Sequence, residues 1–431
     1  MSNLSAKRLA RLQSQRAGTI AALDIGCSKT TCLIGRPDGA GPRRIHILGG
    51  GRQQTRGFNG TGITDMDGLE RTIRVAVEDA EREAGEPISE VILGVSGPQV
   101  TSCLVEAQIE PGGRAVTARD VRRLHAQAMA RVPQKTSDIL AAWPVVYTID
   151  RAAGRVRQPV GMIAGTLHVR MAVITAPKSM VRNLVECVGR AHLGVTKLVP
   201  SSIASGLGTL IEDELENGTI CIDMGAGVTA VSVFLNGAPA WLGLVPVGGQ
   251  HVTADLAQGL GTTFAAAERI KTVFGTADLE GPGLAERVEA ARLGDDGRLH
   301  ATRTERGEIA RIIAPRIEET FELVAQILET SDVRKVLPHR VVLTGGASQL
   351  PGIREVASRY LRAPVRLGKP VISEFLGETL ATPAFSTASG LILYPELGYA
   401  DAARAGVAST EDAAGSGTWV NTALRWLKEN F

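Results

Sequence analysis

The chain has 431 residues, of which 44% are hydrophobic and 21% charged, and its formal net charge is +2 at pH 7. This length allows two to four domains with sizeable cores, and the small net charge predicts no general affinity for nucleic acid. The seven histidines show no metal-ligand spacing and the five cysteines form no C-x-x-C pair. These patterns argue against a metalloenzyme and favour reduced thiols in a cytoplasmic protein. No apolar run is long enough to span a bilayer.

A candidate phosphate loop follows a basic extension (residues 1–17) that lacks the apolar stretch of a signal peptide. An apolar strand leads into Asp24-Ile-Gly26-Cys27-Ser28-Lys29, and a second apolar strand follows. Glycine lets backbone amides approach an anion, Ser28 and Lys29 can contact phosphate oxygens, and Asp24 can orient magnesium-bound water. Taken alone, a β-hairpin with a polar turn is the simpler explanation.

The next part of the chain alternates between irregular, helical and strand patterns. Residues 36–62 are rich in glycine, and we expect them to be irregular. Apolar residues at helical spacing predict a helix from Asp67 to Ala84 that stops at Gly85. Residues 91–96 have the pattern of a buried strand.

The sequence then changes character between residues 99 and 175. Strand-like alternation leads into a helix opened by the cap Thr117-x-x-Asp120, and strand-like runs follow at 143–149 and 167–174. Such a β-α-β-β unit is large enough to be a small inserted domain. A helix at 180–192 is expected to lead back into the main body.

The first hairpin pattern returns in the second half of the chain. Asp223, Gly225 and Gly227 lie between two apolar strands, as Asp24 and Gly26 do near the N-terminus. One such hairpin is weak evidence for a phosphate site. Two of them favour two related halves that hold one phosphorylated ligand between them.

Further candidate ligand contacts follow the second hairpin. Helices are expected near 252–260 and 265–274, and in the second of these Glu268 and Lys271 lie one turn apart. The two side chains are candidates to flank a ribose and a base, or they form a surface i,i+3 pair. The stretch 277–307 is a polar patch that contains glycine.

A third glycine turn comes after a long amphipathic helix predicted at 308–330. An apolar strand beginning at Val341 breaks into Gly345-Gly346-Ala347, and another helix follows. A glycine pair after a strand can let a flat adenine ring lie against the backbone.

The C-terminal end combines a linker with an amphipathic segment. Residues 401–417 are mostly Ala, Gly, Ser and Asp, which is typical of a flexible linker, and residues 418–431 have apolar positions at near-helical spacing. Tryptophan favours the bilayer interface and basic residues favour anionic lipid, although such a tail can also dock on the body of its own protein. One short helix binds reversibly, so stable attachment needs multivalency, which polymerisation would supply. The candidate membrane contacts are Trp419, Val420, Leu424, Arg425, Trp426, Leu427, Lys428 and Phe431.

The ordered triplet of glycine turns resembles the actin, sugar-kinase and heat-shock-chaperone ATPase superfamily. A dinucleotide-binding Rossmann domain is a poorer match, because no strand leads into a G-x-G-x-x-G that opens a helix. The chain is more specifically similar to the FtsA family of bacterial cell-division proteins, from Gly18 onward and in order. The stretches that carry this similarity are Leu23–Lys29, Leu93–Gly97, Asn217–Val233, Val245–Asp255, Ala267–Lys271, Val342–Leu350, Ser386–Leu391 and Leu424–Phe431.

The resemblance implies a two-lobed α/β fold of the actin and heat-shock-chaperone ATPase type, with an inserted small α+β subdomain called 1C and a C-terminal amphipathic helix. The implied division is an N-terminal extension (1–17), a first lobe (18–98, subdomain 1A), subdomain 1C (99–175), the rest of the first lobe (176–216), a second lobe that returns to the first near its end (217–400, subdomains 2A and 2B), a linker (401–417) and a membrane-targeting helix (418–431).

The resemblance also implies ATP and Mg²⁺ as ligands, with Asp24 and Asp223 contacting the metal through water. The family often has Asp-x-Gly-Gly-Gly-Thr where this chain has Ala226 and Val228 at two of the positions. Loss of the threonine hydroxyl removes a potential phosphate contact, which favours binding over hydrolysis. The implied nucleotide-binding residues are Asp24, Gly26, Cys27, Ser28, Lys29, Asp223, Gly225, Gly227, Gly248, Gly249, Glu268, Lys271, Gly345, Gly346 and Ala347.

The function implied is that of a filament-forming protein rather than an enzyme, with slow ATP hydrolysis allowed. It would tether a ring of the tubulin-like protein FtsZ to the cytoplasmic face of the inner membrane at the division site. Its partners would be the FtsZ C-terminal peptide, other copies of itself, later division proteins and anionic membrane, but no nucleic acid. The resemblance implies that the peptide binds in the second half, where a polar patch lies around Arg303, Arg306 and Arg311, although these charges could equally form a solvated surface. A pilus-assembly adaptor of the same fold and a small-molecule kinase of the superfamily stay open as alternatives.

Overall fold

The computed structural model describes residues 18–38, 43–133, 136–150, 155–294, 296–372 and 376–397. The predicted N-terminal extension, linker and amphipathic helix (1–17, 401–417 and 418–431) lie outside the described residues.

Strands form five sheets in the described part of the chain. In chain order the strands are β1 (Ile20–Ile25), β2 (Lys29–Pro37), β3 (Ile45–Gln54), β4 (Glu90–Val95), β5 (Thr101–Ile109), β6 (Arg114–Ala115), β7 (Ser137–Ile149), β8 (Ile163–Ala164), β9 (Leu167–Pro177), β10 (Gly194–Pro200), β11 (Thr219–Met224), β12 (Thr229–Leu235), β13 (Ala238–Val245), β14 (Arg287–Leu293), β15 (Leu299–Glu305), β16 (Val341–Thr344) and β17 (Val365–Leu367).

Helices cover and connect these sheets. In chain order the α-helices are α1 (Met66–Ala84), α2 (Ala118–Met129), α3 (Lys178–Arg190), α4 (Ser201–Thr209), α5 (Glu212–Asn217), α6 (Gly249–Leu260), α7 (Phe264–Phe274), α8 (Arg306–Glu329), α9 (Ile353–Leu361) and α10 (Ser386–Leu393). Short 3₁₀ helices lie at Arg334–Val336, Gly346–Gln349, Pro383–Phe385 and Tyr394–Leu397.

Two five-stranded sheets share one topology. The first has the order β10-β4-β1-β2-β3 and the second β13-β12-β11-β16-β17, so each places its hairpin pair in the same position. In both sheets the first strand of the hairpin is antiparallel to its partner and parallel to the strand on its other side. This repeat gives the two lobes their related architecture, and separate hydrophobic clusters fill the core of each.

The inserted unit has a sheet and a hydrophobic core of its own. Its main sheet has the order β5-β9-β7, α2 packs against it, and a small ribbon joins β6 to β8. The predicted cap is present, because the Thr117 side chain accepts from the Asp120 amide and the Asp120 carboxylate accepts from the Thr117 amide. Ser102 in β5 donates to the carbonyl of Leu242 in β13 at 2.7 Å, so the inserted unit also contacts the second lobe.

The predicted first helix is confirmed. The helix α1 begins after Asp65, whose side chain accepts from the Asp67 amide, and it ends at Gly85 with φ of 71°. Glycine adopts this left-handed conformation without the penalty that a Cβ imposes, so it is a strong helix stop.

The expectation of irregular structure between residues 36 and 62 was wrong, since β3 lies there. Its glycines pack against α1 rather than form loops: a Cβ at Gly51 would lie 1.8 Å from the carbonyl oxygen of Ala76. A Cβ at Gly49 would lie 2.3 Å from the carbonyl oxygen of Ala80. The glycines therefore permit a close approach between β3 and α1. By composition alone, such a glycine-rich stretch resembles a loop.

The stretch 277–307, read as a polar patch, contains the β14–β15 hairpin. Val288 and Ala290 are buried while their neighbours in β14 face outward. Only one face of this ribbon is covered, so polar residues dominate its sequence.

Two helices of the first lobe cross at glycines. A Cβ at Gly390 in α10 would lie 1.7 Å from the carbonyl oxygen of Ala204 in α4, and a Cβ at Gly208 would lie 2.2 Å from the carbonyl oxygen of Ser386. This crossing anchors α10, and through it the segment that enters the candidate site described below.

We predict that Gly390→Ala destabilises the protein by about 1–3 kcal/mol, because the added methyl group must push α4 and α10 apart. The matched control is Gly189→Ala on the exposed side of α3, where a Cβ meets no atom within 4 Å. That change should be neutral or stabilising by up to about 1 kcal/mol. Urea unfolding of both variants measures the difference, and equal stability of the two would contradict the crossing geometry.

Candidate functional site

The two Asp-x-Gly hairpins have the same turn geometry. The amide of Gly26 donates to the carbonyl of Lys29 at 3.0 Å, and the amide of Gly225 donates to the carbonyl of Val228 at 3.0 Å. The strand register is also the same in both hairpins, since Asp24 is opposite Thr31 and Asp223 is opposite Ala230. The sequence repeat therefore folds as a structural repeat, one copy per lobe.

Asp24 and Asp223 lie where the two lobes meet, in the region that we call the cleft, and the charge of Asp223 acts on Asp24. Although Asp24 retains some exposure, burial raises its pKa to about 7, with Lys29 opposing the rise and Asp223 adding to it. Burial also raises the pKa of Asp223, against hydrogen bonds from Thr387 and Ser205 and the charge of Lys29. A cation placed between two such carboxylates would favour their charged forms.

Lys29 is the basic member of this group. Burial lowers its pKa to about 8, and the charges of Asp24 and Asp223 oppose that shift. Its Nζ donates to the carbonyl oxygen of Ala384 and lies 3.9 Å from the centre of the Phe385 ring. Lys29, the predicted phosphate contact, therefore binds a segment more than 350 positions later in the sequence.

That segment, residues 383–387, we call the strap. The carbonyl of Pro383 accepts from the amide of Gly345 at 3.1 Å, so the strap supports the third glycine turn. Thr387 Oγ1 donates to Asp223 Oδ2 at 3.0 Å. The strap therefore connects the candidate adenine turn, the second aspartate and Lys29.

The third glycine turn lies directly against the second aspartate. Gly345 has φ of +87°, and a Cβ there would lie 2.2 Å from Asp223 Oδ1. Gly346 is more open, since a Cβ there would lie 3.8 Å from the Cβ of Ala384 in the strap. Glycine at 345 is required by both conformation and space.

The start of α6 closes onto the second hairpin turn. The amide of Gly249 donates to the carbonyl of Gly225 at 2.9 Å. A Cβ at Gly248 would lie 2.6 Å from the carbonyl oxygen of Ala226, whereas a Cβ at Gly249 would lie 3.3 Å from the Cβ of Ala347. These small residues bring the second and third turns side by side.

Glu268 and Lys271 belong to this same group. They form an ion pair at 2.7 Å, and Lys271 Nζ also donates to the carbonyl of Gly249 at 2.9 Å and to Thr253 Oγ1 at 2.8 Å. The pair therefore fastens α7 to the start of α6 and is more than an exposed i,i+3 contact.

Cys27 fills the narrow space between the first and second turns. A Cβ at Gly227 would lie 2.6 Å from its Sγ, and a Cβ at Gly60 would lie at the same distance of 2.6 Å. Burial raises the pKa of this thiol. Ser28 is exposed, and its carbonyl accepts from the Thr55 amide at 3.0 Å.

The structure thus places the predicted residues of all three glycine turns, with Glu268 and Lys271, around one cleft. Sequence reasoning missed three side chains of this group, Ser205, Thr253 and Thr387. The only signal for Thr387 was the run Ser386–Leu391, noticed as a family stretch without a chemical role. Within the described ranges, no three His, Cys, Asp or Glu residues cluster as direct metal ligands. The donor set is two carboxylates, which suits a metal held largely through water.

The family models that match are "Cell division protein FtsA" over residues 220–390 and "SHS2 domain inserted in FTSA" over residues 97–175. Among full-length relatives, the cell division protein FtsA of Agrobacterium fabrum is 39% identical, covering 100% of this chain and 99% of that protein. The cell division protein FtsA of Escherichia coli K12 is 32% identical over 96% of this chain and 98% of that protein.

Solved structures show the same fold. The PilM–PilN type IV pilus biogenesis complex matches with a TM-score of 0.61 at 17% identity, covering 87% of this chain and 98% of that one. MreB5 of Spiroplasma citri bound to ADP matches with a TM-score of 0.51 at 12% identity, covering 87% and 95%. The predicted two-lobed, actin-like α/β fold with an inserted domain is confirmed.

We predict that Asp24→Asn stabilises the ligand-free protein at pH 8. The pKa of Asp24 is about 7 in the folded state and about 4 in an unfolded chain. Between these values the folded state binds a proton that the unfolded state does not, so the free energy of unfolding falls as pH rises. The variant should therefore melt several degrees above the original at pH 8, and the gap should narrow as pH falls from 7 towards 4.

Thermal melts without nucleotide or Mg²⁺ across this pH range measure the effect. Asp332→Asn, at an exposed position of the second lobe, is the control and should leave the melting temperature unchanged. A gap for Asp24→Asn that is the same at pH 4.5 and pH 8 would contradict the prediction.

Proposed function

The chain belongs to the family of the cell division protein FtsA, and from this premise we propose that it is an ATP-binding, filament-forming anchor of the division ring. It polymerises, tethers the FtsZ ring to the cytoplasmic face of the inner membrane at the division site and recruits later division proteins. The observation that carries the proposal is the pair of Asp-x-Gly turns with the same backbone hydrogen bond, one from each lobe, and the charge of Lys29 that acts on both aspartates. A site of this kind suits a phosphate chain and a divalent cation better than a neutral ligand.

The cleft offers distinct surfaces for each part of ATP. The amides of the first turn and Lys29 would hold phosphate oxygens, and Asp24 and Asp223 would hold Mg²⁺ through water. The second and third turns, with Glu268 and Lys271, would enclose the adenosine. Support comes from the fold, since the similar MreB5 structures are described as bound to ADP and to AMPPNP.

The chemistry of the second turn favours binding over hydrolysis. At the position where the first turn has Lys29, the second has Val228, and Ala226 replaces a glycine that the family often has. Neither side chain offers a hydrogen bond to phosphate or to an attacking water. We therefore infer that nucleotide acts on assembly, by holding the lobes in a polymer-competent arrangement, and that any hydrolysis is slow.

Attachment to the membrane is assigned to residues 418–431. In the described part of the chain no helix is long and apolar enough to cross a bilayer. We propose a peripheral contact through the apolar and basic side chains of that terminal segment, multiplied by polymerisation. The predicted division into lobes, subdomain 1C, linker and terminal helix is retained as part of this proposal.

The FtsZ C-terminal peptide is assigned to the second lobe near the β14–β15 hairpin. Arg303 and Arg311 are exposed there, while Arg306 Nε donates to the carbonyl of Phe274 at 3.0 Å and so holds α8 against α7. We propose that Arg303 and Arg311 contact the peptide and that Arg306 positions the surface.

The two alternatives have weaker support. The likeness to the PilM–PilN complex is at 17% identity and shows the fold alone, whereas the Agrobacterium fabrum relative, 39% identical over 100% of this chain, is a cell division protein. A small-molecule kinase needs a carboxylate base beside a substrate pocket, and sequence reasoning identified none. Retention of the chain on an immobilised FtsZ C-terminal peptide would separate the division protein from a pilus adaptor.

We predict that Lys29→Ala weakens binding of Mg²⁺–ATP at least tenfold, about 1.4 kcal/mol, because a cation facing the phosphates is lost. Lys335→Ala, at an exposed position on the second lobe, should bind ATP unchanged. Calorimetric titration measures both affinities, with far-ultraviolet circular dichroism to check folding. A folded Lys29→Ala variant with unaltered affinity would remove Lys29 from the site.

We predict that the full chain sediments with vesicles containing phosphatidylglycerol, more strongly with Mg²⁺–ATP, and that deletion of residues 418–431 removes most of this binding. The terminal segment supplies most of the apolar anchor, and nucleotide-driven assembly multiplies it. The truncated chain should still bind the FtsZ peptide, which controls for folding. Unchanged sedimentation after truncation, or phosphorylation of sugars or acetate, would refute the anchor function.

A further inference from the structure

The inserted domain has a charge unlike that of the rest of the chain. Residues 97–175 contain ten Lys or Arg and five Asp or Glu, whereas the entire chain has 47 and 45. The domain is therefore strongly positive and the remainder slightly negative. Such segregation of charge points to a surface that meets an anionic partner.

The excess charge is concentrated on one face of α2. Arg119, Arg122 and Arg123 are exposed at helical spacing, and no ion-pair partner of theirs occurs among the described residues. Asp120 is the one acid of this helix, and Arg114 neutralises it through bonds of 2.7 and 2.8 Å. We call the three free arginines the basic face.

An exposed apolar segment lies beside the start of this helix. Val160, Met162 and Ile163 are 44%, 43% and 72% exposed. The amide of Val116 donates to the carbonyl of Met162 at 2.8 Å, and the amide of Gly161 donates to the carbonyl of Val116 at 2.8 Å. Residues 160–163, which we call the apolar tip, are thus held next to the first turn of α2.

The ribbon that carries the apolar tip has open space beside its glycines. At three glycines of this ribbon, Gly112, Gly113 and Gly161, a Cβ would meet no atom within 4 Å. An exposed apolar segment beside three exposed arginines is less typical of a peptide site, since peptides are usually held in grooves. It is well suited to the headgroup region of a bilayer, where apolar side chains insert and basic ones meet anionic lipid.

We propose that the inserted domain carries a second membrane contact, in which Ile163 and its apolar neighbours enter the interface and the basic face binds anionic phospholipid. The terminal segment and this contact need not lie side by side. The 20 residues between Leu397 and Thr418 can span up to about 70 Å when extended. Two weak contacts on one chain bind far more strongly than either alone.

The contact rests on the proposed peripheral attachment but is tested by different residues. The full-length triple variant Arg119→Ser/Arg122→Ser/Arg123→Ser should bind phosphatidylglycerol–phosphatidylcholine vesicles about tenfold more weakly at 0.1 M salt. The control is Arg334→Ser/Lys335→Ser, which removes two exposed charges from the second lobe. It should bind as the original chain does, and the difference between the variants should vanish on vesicles of phosphatidylcholine alone.

Insertion of the apolar tip is read out by fluorescence. Ile163→Trp should be quenched by brominated phosphatidylglycerol beyond the quenching of the unmodified chain, while Val273→Trp, at an exposed apolar position of α7, should not. Equal vesicle affinity of the triple variant and its control would overturn the proposal, even if truncation of residues 418–431 abolishes binding. Unchanged vesicle binding together with lost retention on immobilised poly-glutamate would instead assign the basic face to an acidic protein.

Discussion

Two aspartates held in one desolvated cleft are the constraint on which the rest of this structure depends. Burial of a carboxylate is unfavourable unless a cation or hydrogen bonds offset it. Here the charge of Lys29 acts on both aspartates, and Thr387 donates a hydrogen bond to Asp223. A bound cation would lower the free energy of these buried carboxylates, and Lys29 would favour an anion beside it. The arrangement therefore suits a metal–phosphate ligand.

The strap connects the cleft to both lobes and to the helix α10. It receives Lys29 from the first lobe, supports Gly345 in the second, and continues without a break into α10. The helix α10 is itself locked by the glycine crossing with α4. A ligand that drew Lys29 away from Ala384 would therefore act on a segment that leads towards the C-terminal end of the chain.

The inserted domain makes direct contacts with the rest of the protein. Ser102 binds the backbone of the second lobe, and Arg157 pairs with Glu216 at 2.8 Å. Its outer surface is positive and partly apolar. The domain therefore joins the nucleotide-holding body on one side and presents a surface for an anionic partner on the other.

The sequence by itself determined the features that depend on neighbouring residues. The two Asp-x-Gly turns, the Thr117–Asp120 cap and the Gly85 stop follow from local backbone chemistry, and all were predicted. Only the tertiary structure decided that Gly49 and Gly51 belong to a strand, that Lys29 meets Ala384, and that Thr387 binds Asp223. Each of these features depends on contacts between residues far apart in sequence. Local propensity does not determine which distant segment will approach. Turn chemistry is encoded residue by residue, whereas the closeness of two lobes emerges only when the whole chain has packed.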